Sequence, residues 1–320
     1  MKRFSVTTSG EDPTFEAYTP EPLKSGEVAV DIKAAALNHA DLLMIKGRYQ
    51  DTPEPPFGLG LEGAGVIAKV GRGAGLEIGT RVAVFSGQGC LAERLHVDAN
   101  RVVPIPDALA FDVAAALPIA FGTAHLGLMR RARAKAGEVL LVTGAGGGAG
   151  LAAVRLGKAL GLKVLASARS ADHREQALKA GAHAAFDTEI GEQELTDQLR
   201  AHGPIDIVYD TVGGGGLAPI MRAVKPEGRV VLIGFVGGLP EFKSNHLLVK
   251  NQTIIGLNIS AYPSFAPETL KESLAAVMDL AAKGAIEADI GHRLAFEDTQ
   301  KGLDLLRDRK AVGKVVIEIA

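Results

Sequence analysis

From residue 1 to about 110 the chain alternates short apolar–polar runs with glycine turns. Val28-Ala-Val-Asp-Ile-Lys-Ala34 and Gly65-Val-Ile-Ala-Lys-Val70 alternate, and Thr80–Phe85 is a third short run of strand type. Lys24–Glu27, Gly71–Gly75 and Ser86–Gly89 supply turn signals between them. Short strands at this spacing predict a compact β-rich domain or barrel. One helical piece, His39–Lys46, interrupts it and is stopped by Gly47.

Pro104 and Pro106 punctuate the exit, and the period then changes. Phe111–Leu117 and Phe121–Arg133 read as helices, followed by a buried strand, Val139–Val142, bounded by Thr143. Positions 144–150 hold only Gly and Ala, after which Leu151, Val154, Leu156 and Leu160 recur at helical spacing up to Gly161. Alternation continues through strand Lys163–Ser167, helix Ala171–Ala180 with Gly181 past its end, strand Ala184–Phe186 and helix Glu192–Arg200. Strand Ile205–Tyr209, helix Leu217–Val224 and strands Gly228–Gly234 and Thr253–Leu257 come next. Helices Pro267–Lys283 and Phe296–Arg309 precede a last alternating strand, Lys314–Ile319. Strand and helix taking turns predict an α/β domain with a parallel sheet covered on both faces. No internal repeat or low-complexity segment is present.

The segment 139–161 carries the first chemical signal. A strand, a glycine turn and a helix open a dinucleotide-binding unit: the turn lets backbone approach a pyrophosphate, which sits on the helix's unpaired N–H groups. Two registers fit, Gly144-x-Gly146-x-x-Ala149 and Ala145-x-Gly147-x-x-Gly150. The strand that follows at Lys163 completes the unit. It ends Leu165-Ala-Ser-Ala-Arg169-Ser170, with no carboxylate before Asp172, so Ser167, Arg169 and Arg174 favour NADPH over NADH.

Composition narrows the rest. The 320 residues suit about two domains. A net charge of −2 gives nucleic acid or an acidic membrane no electrostatic purchase. One cysteine, Cys90, suits a reducing compartment; with no signal-like leader and no run of membrane-spanning length, a soluble cytoplasmic protein is expected. The eight histidines include no close pair and Cys90 has no partner thiol, so no zinc site is expected. No Gly-x-Ser-x-Gly elbow occurs. The cofactor is left to carry the reaction.

With these residues in view, the chain resembles the zinc-independent quinone oxidoreductase branch of the medium-chain dehydrogenase/reductase superfamily over essentially its whole length. The resemblance rests on Ala36–Asp41, Gly58–Val66, Phe121–Ala124, the glycine turn, Asp206–Gly213, Gly228–Gly234 and Val312–Val316. It implies a GroES-like β-rich domain, 1–115 with 285–320, and a doubly wound Rossmann domain, 116–284, binding NADPH. It also implies a homodimer joined edge to edge, with Thr253–Ile259 as the pairing strand. Gly146, Gly147, Gly148 and Ala149 would hold the pyrophosphate and Arg169 the adenine-ribose end. Thr211, Phe235 and Leu257-Asn258-Ile259 would line the nicotinamide side. Many relatives have a Lys where His173 stands and a Tyr or His where Thr188 stands; Arg174 could replace the former. The superfamily's zinc alcohol dehydrogenases carry Gly-His-Glu and an early Cys ligand, whereas this chain has Leu61 before Glu62 and Asn38 at the cysteine's place.

Four residues are catalytic candidates. Asn38 and Asp41, three apart, share a helical face and could serve the nicotinamide, or could simply cap and charge the helix start. Tyr49 corresponds to a tyrosine that donates a proton in related enoyl-thioester reductases. Thr123 could donate to nicotinamide or substrate. The expected activity is NADPH-dependent hydride transfer to quinones or conjugated carbonyls. The alternatives are reduction of an enoyl thioester or alkenal with Tyr49 as acid, and an NADPH-binding structural or sensing protein without turnover.

Overall fold

The computed structural model describes residues 1–308 and 310–319; Arg309, the expected end of the last helix, and Ala320, the expected end of the β-rich domain, lie outside them. The chain forms two compact units, Met1–Gly122 with Ser260–Ala320, and Thr123–Ile259.

In the first unit the chain runs β1 (Lys2–Val6), β2 (Thr14–Ala17), β3 (Glu27–Leu37), α1 (His39–Ile45), β4 (Phe57–Gly58), β5 (Glu62–Val70) and β6 (Arg81–Phe85). β7 (Arg94–Asp98), β8 (Val102–Pro104), α2 (Phe111–Ala115) and α3 (Ala120–His125) follow, and the unit boundary falls within α3. The second unit holds a π-helical turn (Leu126–Arg131), β9 (Val139–Thr143), α4 (Gly148–Ala159), β10 (Lys163–Ala168), α5 (Ala171–Ala180), β11 (Ala184–Asp187) and α6 (Glu192–Ala201). It continues with β12 (Ile205–Asp210), α7 (Leu217–Ala223), β13 (Val224–Leu232), α8 (Ser244–Lys250) and β14 (Thr253–Gly256). The chain returns to the first unit with α9 (Tyr262–Phe265), α10 (Pro267–Ala282), β15 (Ile290–Ala295), α11 (Thr299–Arg307) and β16 (Lys314–Glu318).

In the first unit a sheet ordered β15-β16-β3-β5-β6-β8, with β7 on β3, wraps a core of Val30, Ile32, Leu37, Leu59, Leu61, Ile67, Leu91 and Ile317. The alternation of β3 places Val28, Val30 and Ile32 on one face, in that core. A smaller sheet, β2-β1-β4, packs beside it through Phe4 and Phe15. The C-terminal strand closes the fold: β16 runs antiparallel to β3, with Val315 opposite Leu37.

The second unit is an all-parallel sheet in the order β11-β10-β9-β12-β13-β14. Counted from β9 as the first strand, this is the doubly wound order 3-2-1-4-5-6, whose direction reverses between its first and fourth strands, where ligands bind at the strands' carboxyl ends. Those two strands are β9, which leads into the glycine turn, and β12.

Several boundaries differ from the sequence reading. The second unit spans 123–259, where 116–284 was expected. Helix α10, assigned by its position in the chain to the Rossmann domain, packs against β8 and the turn at Ala99–Arg101 of the β-rich unit. The expected helix Phe121–Arg133 is α-helical only to His125. Beyond it, Ala132 N–H donates to the Gly127 carbonyl, five residues back (2.8 Å). The wider turn brings Gly127 against Tyr209, so closely that a methyl group on it would lie 3.0 Å from the ring. β13 begins at Val224 rather than Gly228 because a bulge accommodates Lys225–Gly228. Between the expected strands Gly228–Gly234 and Thr253–Leu257 the chain also forms α8, which the sequence pattern does not predict.

Candidate functional site

Each glycine of the turn has its own physical task. Gly144 takes a left-handed conformation (φ +60°), and a methyl group there would strike Thr211 Oγ1 at 2.4 Å. At Gly150 a methyl group would lie 2.3 Å from the Gly144 carbonyl oxygen and 2.7 Å from Ala145 Cα, so only glycine lets α4 sit this close to the turn. Gly147 caps α4 with extended backbone and no side-chain bond, and around Gly148 a methyl group would meet nothing within 4 Å. Turn and packing glycines thus come from different registers of the motif, Gly144 from one and Gly150 from the other. Between them Gly147 and Gly148 are exposed, and the N–H groups of Gly148 and Ala149 stand in the first turn of α4. Unpaired N–H groups and the positive end of a helix dipole make an anion cradle there, of the kind that suits a pyrophosphate.

The far side of β9 secures this turn. Thr143 Oγ1 donates to Asp210 Oδ1 (2.5 Å) and accepts from Thr211 N–H (3.0 Å), while Thr211 Oγ1 donates to the Thr143 carbonyl (2.8 Å). Asp210 is buried and also accepts from Val212 and Gly213 N–H. Thr211 is therefore at the cradle, tied to the strand end.

At the end of β10, Ser167 is fully buried and its hydroxyl has no hydrogen-bond partner among the described residues, while its carbonyl accepts from Ala145 N–H in the turn (3.1 Å). Arg169 follows on the surface and makes no ion pair among the described residues. Arg174 is differently placed: it donates to the carbonyls of Ala168 (3.1 Å) and Arg169 (2.6 Å) and pairs with Asp187 (3.0 Å). It braces the strand end rather than presenting an uncommitted charge, because the first turn of α5 points its guanidinium back along β10. His173 lies over the glycine turn, its Cβ and Cγ 2.3 Å from where a Gly146 methyl would be. Phe235, nearly half exposed, covers Gly213 in the turn after β13. Leu257 N–H donates to the Leu232 carbonyl (3.1 Å), Asn258 is exposed and Ile259 buried. Thr123 is buried in α3.

In the β-rich unit the structure gathers a polar cluster that spacing had only half revealed. Asn38 N–H donates to Asp41 Oδ2 (2.8 Å), and Gly60 N–H to Asp41 Oδ1 (3.2 Å). The Asn38 side chain donates to Glu62 Oε1 (2.8 Å) and accepts from Lys314 (2.8 Å). Lys314 also donates to Glu62 Oε1 (2.7 Å) and the Leu37 carbonyl (3.2 Å), while Glu62 Oε2 accepts from Ile119 N–H (2.7 Å). Both carboxylates are fully buried. Burial pushes the Asp41 carboxyl up to about 7, with the Asn38 and Gly60 N–H groups and Lys314 pulling the other way. Burial likewise raises the neighbouring Cys90 thiol, which is inert packing. Asn38 and Asp41 thus turn inward, toward an ion pair of Glu62 and Lys314 that the sequence reading did not single out as functional. Both nevertheless sit in motifs quoted there, Gly58–Val66 and Val312–Val316.

Tyr49 lies just past α1 and half-buried, its hydroxyl 3.3 Å from Ser260 Oγ. Burial raises its pKa above the ordinary phenol value, so the group is protonated at neutral pH, as a free phenol also is, and is a weaker acid than one. Among the described residues no group of three or more His, Cys, Asp or Glu side chains is placed to hold a metal ion.

Comparison with known proteins agrees with this geometry. Residues 24–107 match the alcohol dehydrogenase GroES-like domain, and 148–280 match the family described as zinc-binding dehydrogenase. The bovine quinone oxidoreductase-like protein 2 is 32% identical over 308 residues, covering 95% of this chain and 88% of that protein. The Escherichia coli quinone oxidoreductase, solved in complex with NADPH, superposes with a TM-score of 0.86 at 27% identity over 99% of this chain and all of the other. The Thermus thermophilus quinone oxidoreductase, also solved with NADPH, gives 0.85 at 29% identity over 99% and 100%. A GroES-like unit joined in one chain to a 3-2-1-4-5-6 Rossmann unit, with these relatives, shows that this protein belongs to the quinone oxidoreductase branch of the medium-chain dehydrogenase/reductase superfamily.

Proposed function

We propose that the protein is an NADPH-dependent oxidoreductase that passes a hydride to quinones or related conjugated carbonyls without a zinc ion. The observation that carries this reading is the anion cradle at Gly147–Ala149, beside a buried unpartnered Ser167 hydroxyl and the exposed guanidinium of Arg169. The first-turn N–H groups of α4 hold the pyrophosphate. Arg169 meets the 2′-phosphate; β10 itself ends without a carboxylate, and Asp187 on the neighbouring strand is paired with Arg174. Bound reduced nicotinamide supplies the hydride. Quinone oxygens take up negative charge readily and water protonates them, so little further is asked of the protein.

The zinc-free assignment rests on the chemistry around Glu62. Its oxygens are already occupied by the Lys314 ammonium, the Asn38 amide and Ile119 N–H. A cation is thus built into the place where an acidic ligand would need one.

A second acceptor class, conjugated alkenes, is favoured by one feature. Tyr49 holds its proton, is half-buried and is oriented by Ser260. Alkene reduction needs a proton at carbon after hydride arrives, and this phenol can supply it.

The protein acts as an intracellular homodimer paired through β14, the outermost strand of its sheet. Leu248 and Val249, on the preceding helix α8, are 80% and 76% exposed, an apolar edge that suits burial against a second copy. Oxidation of NADPH by a panel of quinones and enones, with NADH alongside, tests the activity. Turnover with NADPH and a quinone is expected, and cofactor binding without oxidation by any acceptor would overturn it.

A further inference from the structure

The cluster under α1 holds two fully buried carboxylates, Asp41 and Glu62, and a single ammonium, Lys314. With all three ionised it would carry an uncompensated negative charge out of water, which is costly. Lys314 is fully used: its three N–H donors meet Leu37 O, Asn38 Oδ1 and Glu62 Oε1. No N–H of Lys314 is left for Asp41, whose oxygens receive two backbone N–H groups and no others among the described residues. We infer that this cluster carries one proton, held on Asp41, and that Asp41 and Lys314 are positioning residues that set the stance of α1 and, through it, of Tyr49.

The mechanical link is short. The N-terminus of α1 is pinned by Asp41 to Asn38 and Gly60. Its C-terminus is closed by Gly47 N–H on the Met44 carbonyl (2.9 Å) and Arg48 N–H on the Leu43 carbonyl (2.9 Å). Tyr49 is the next residue. A helix of seven residues is about 10 Å long, so a small tilt at the cluster displaces the phenol relative to Ser260. The other ionisable groups facing Asp41 are Glu62 and Lys314, the Cys90 thiol, and Tyr49. On α11, which packs on α1, Asp304 is closed off by Arg307 (3.0 Å) and Gln300 (3.0 Å).

Stripping the proton from Asp41 puts a second buried negative charge beside Glu62, and although the Asn38 and Gly60 N–H bonds to a carboxylate are stronger, the repulsion between the two carboxylates shifts the start of α1. This inference rests on Tyr49 serving alkene reduction only for its kinetic arm; the proton itself is read without turnover. The experiment follows wild-type protein, Asp41→Asn and Lys314→Met by infrared difference spectroscopy, thermal melting and kcat for an enone from pH 5 to 9. In the wild type, a protonated-carboxyl band is expected to vanish near neutral pH, with Tm and kcat falling together and KM little changed. Asp41→Asn should lack that band and show no such inflection. Lys314→Met should move the inflection up by about one unit, because removing a cation favours the neutral acid, whereas mere structural damage would not. A wild type with no protonated-carboxyl band at pH 6, or a band that survives in Asp41→Asn, would overturn the assignment even if no substrate were ever turned over. A kcat profile identical in wild type and Asp41→Asn would overturn the positioning role.

Discussion

Replacing Gly150 by alanine tests the close approach of α4 to the glycine turn. The added methyl would sit 2.3 Å from the Gly144 carbonyl oxygen and 2.7 Å from Ala145 Cα, backbone atoms that cannot swing aside. Relief requires α4 to retreat by roughly 1 Å, at the ~1–3 kcal/mol typical of overpacking, or roughly 3–10 °C of Tm for a domain of this size. The retreat also carries the N–H groups of Gly148 and Ala149 away from the phosphates. Losing one charge-assisted hydrogen bond costs ~1.5–3 kcal/mol, so the NADPH Kd should rise by roughly 10- to 100-fold. Gly148→Ala is the internal control. Its methyl meets no protein atom within 4 Å, and alanine favours a helix by up to ~1 kcal/mol. It should therefore melt no lower than wild type while still obstructing the phosphate. Differential scanning calorimetry and fluorescence titration of NADPH read both effects. If Gly150→Ala melted and bound like wild type, or if the two variants lost stability equally, the roles given to these glycines would be wrong.

Arg169→Ala should weaken NADPH about 10-fold while leaving NADH nearly unchanged, whereas Arg174→Ala, which breaks a brace to Asp187 and two carbonyls, should lower Tm more than it shifts that preference; paired titrations decide. Tyr49→Phe should cut enone reduction by ~10²-fold or more and leave quinone reduction almost intact, measured as kcat on both acceptors. Because the folded-state pKa of Asp41 is raised to about 7, its contribution to stability is greatest below the ordinary carboxylate range near 4 and is lost as pH rises through 7; melting at pH 5 and pH 8 checks the sign. Leu248→Glu with Val249→Glu should shift a dimer toward monomer in light scattering.

Local signals carried much of the architecture. The strand, glycine turn and helix at 139–159, and α5 ending at a left-handed Gly181, follow from patterns within one turn or strand, and the structure keeps them. Features set by distant partners were not readable. Glu62 and Lys314 are separated by 252 positions and meet only because β16 pairs with β3. Helix α10 shows an apolar face in Leu270, Leu274 and Val277, but such a face does not say which sheet it will cover. Arg174 read as a phosphate ligand from its nearness to the strand end, and Asp187, on the neighbouring strand, claims it instead. Helix α8 leaves no residue buried in its own unit, so it lacked the amphipathic contrast that marks a helix in sequence.

A phosphate-bearing nicotinamide dinucleotide docks, on this reading of the glycine turn, where β9 leads into α4. The most direct measurement is a thermal melt with and without NADPH, at a concentration about 100-fold above the Kd obtained by fluorescence titration. Saturable binding and stabilisation of about 2.7 kcal/mol are expected, with a smaller effect from NADH at the same concentration. No fluorescence change and no shift in Tm with either nucleotide would contradict it.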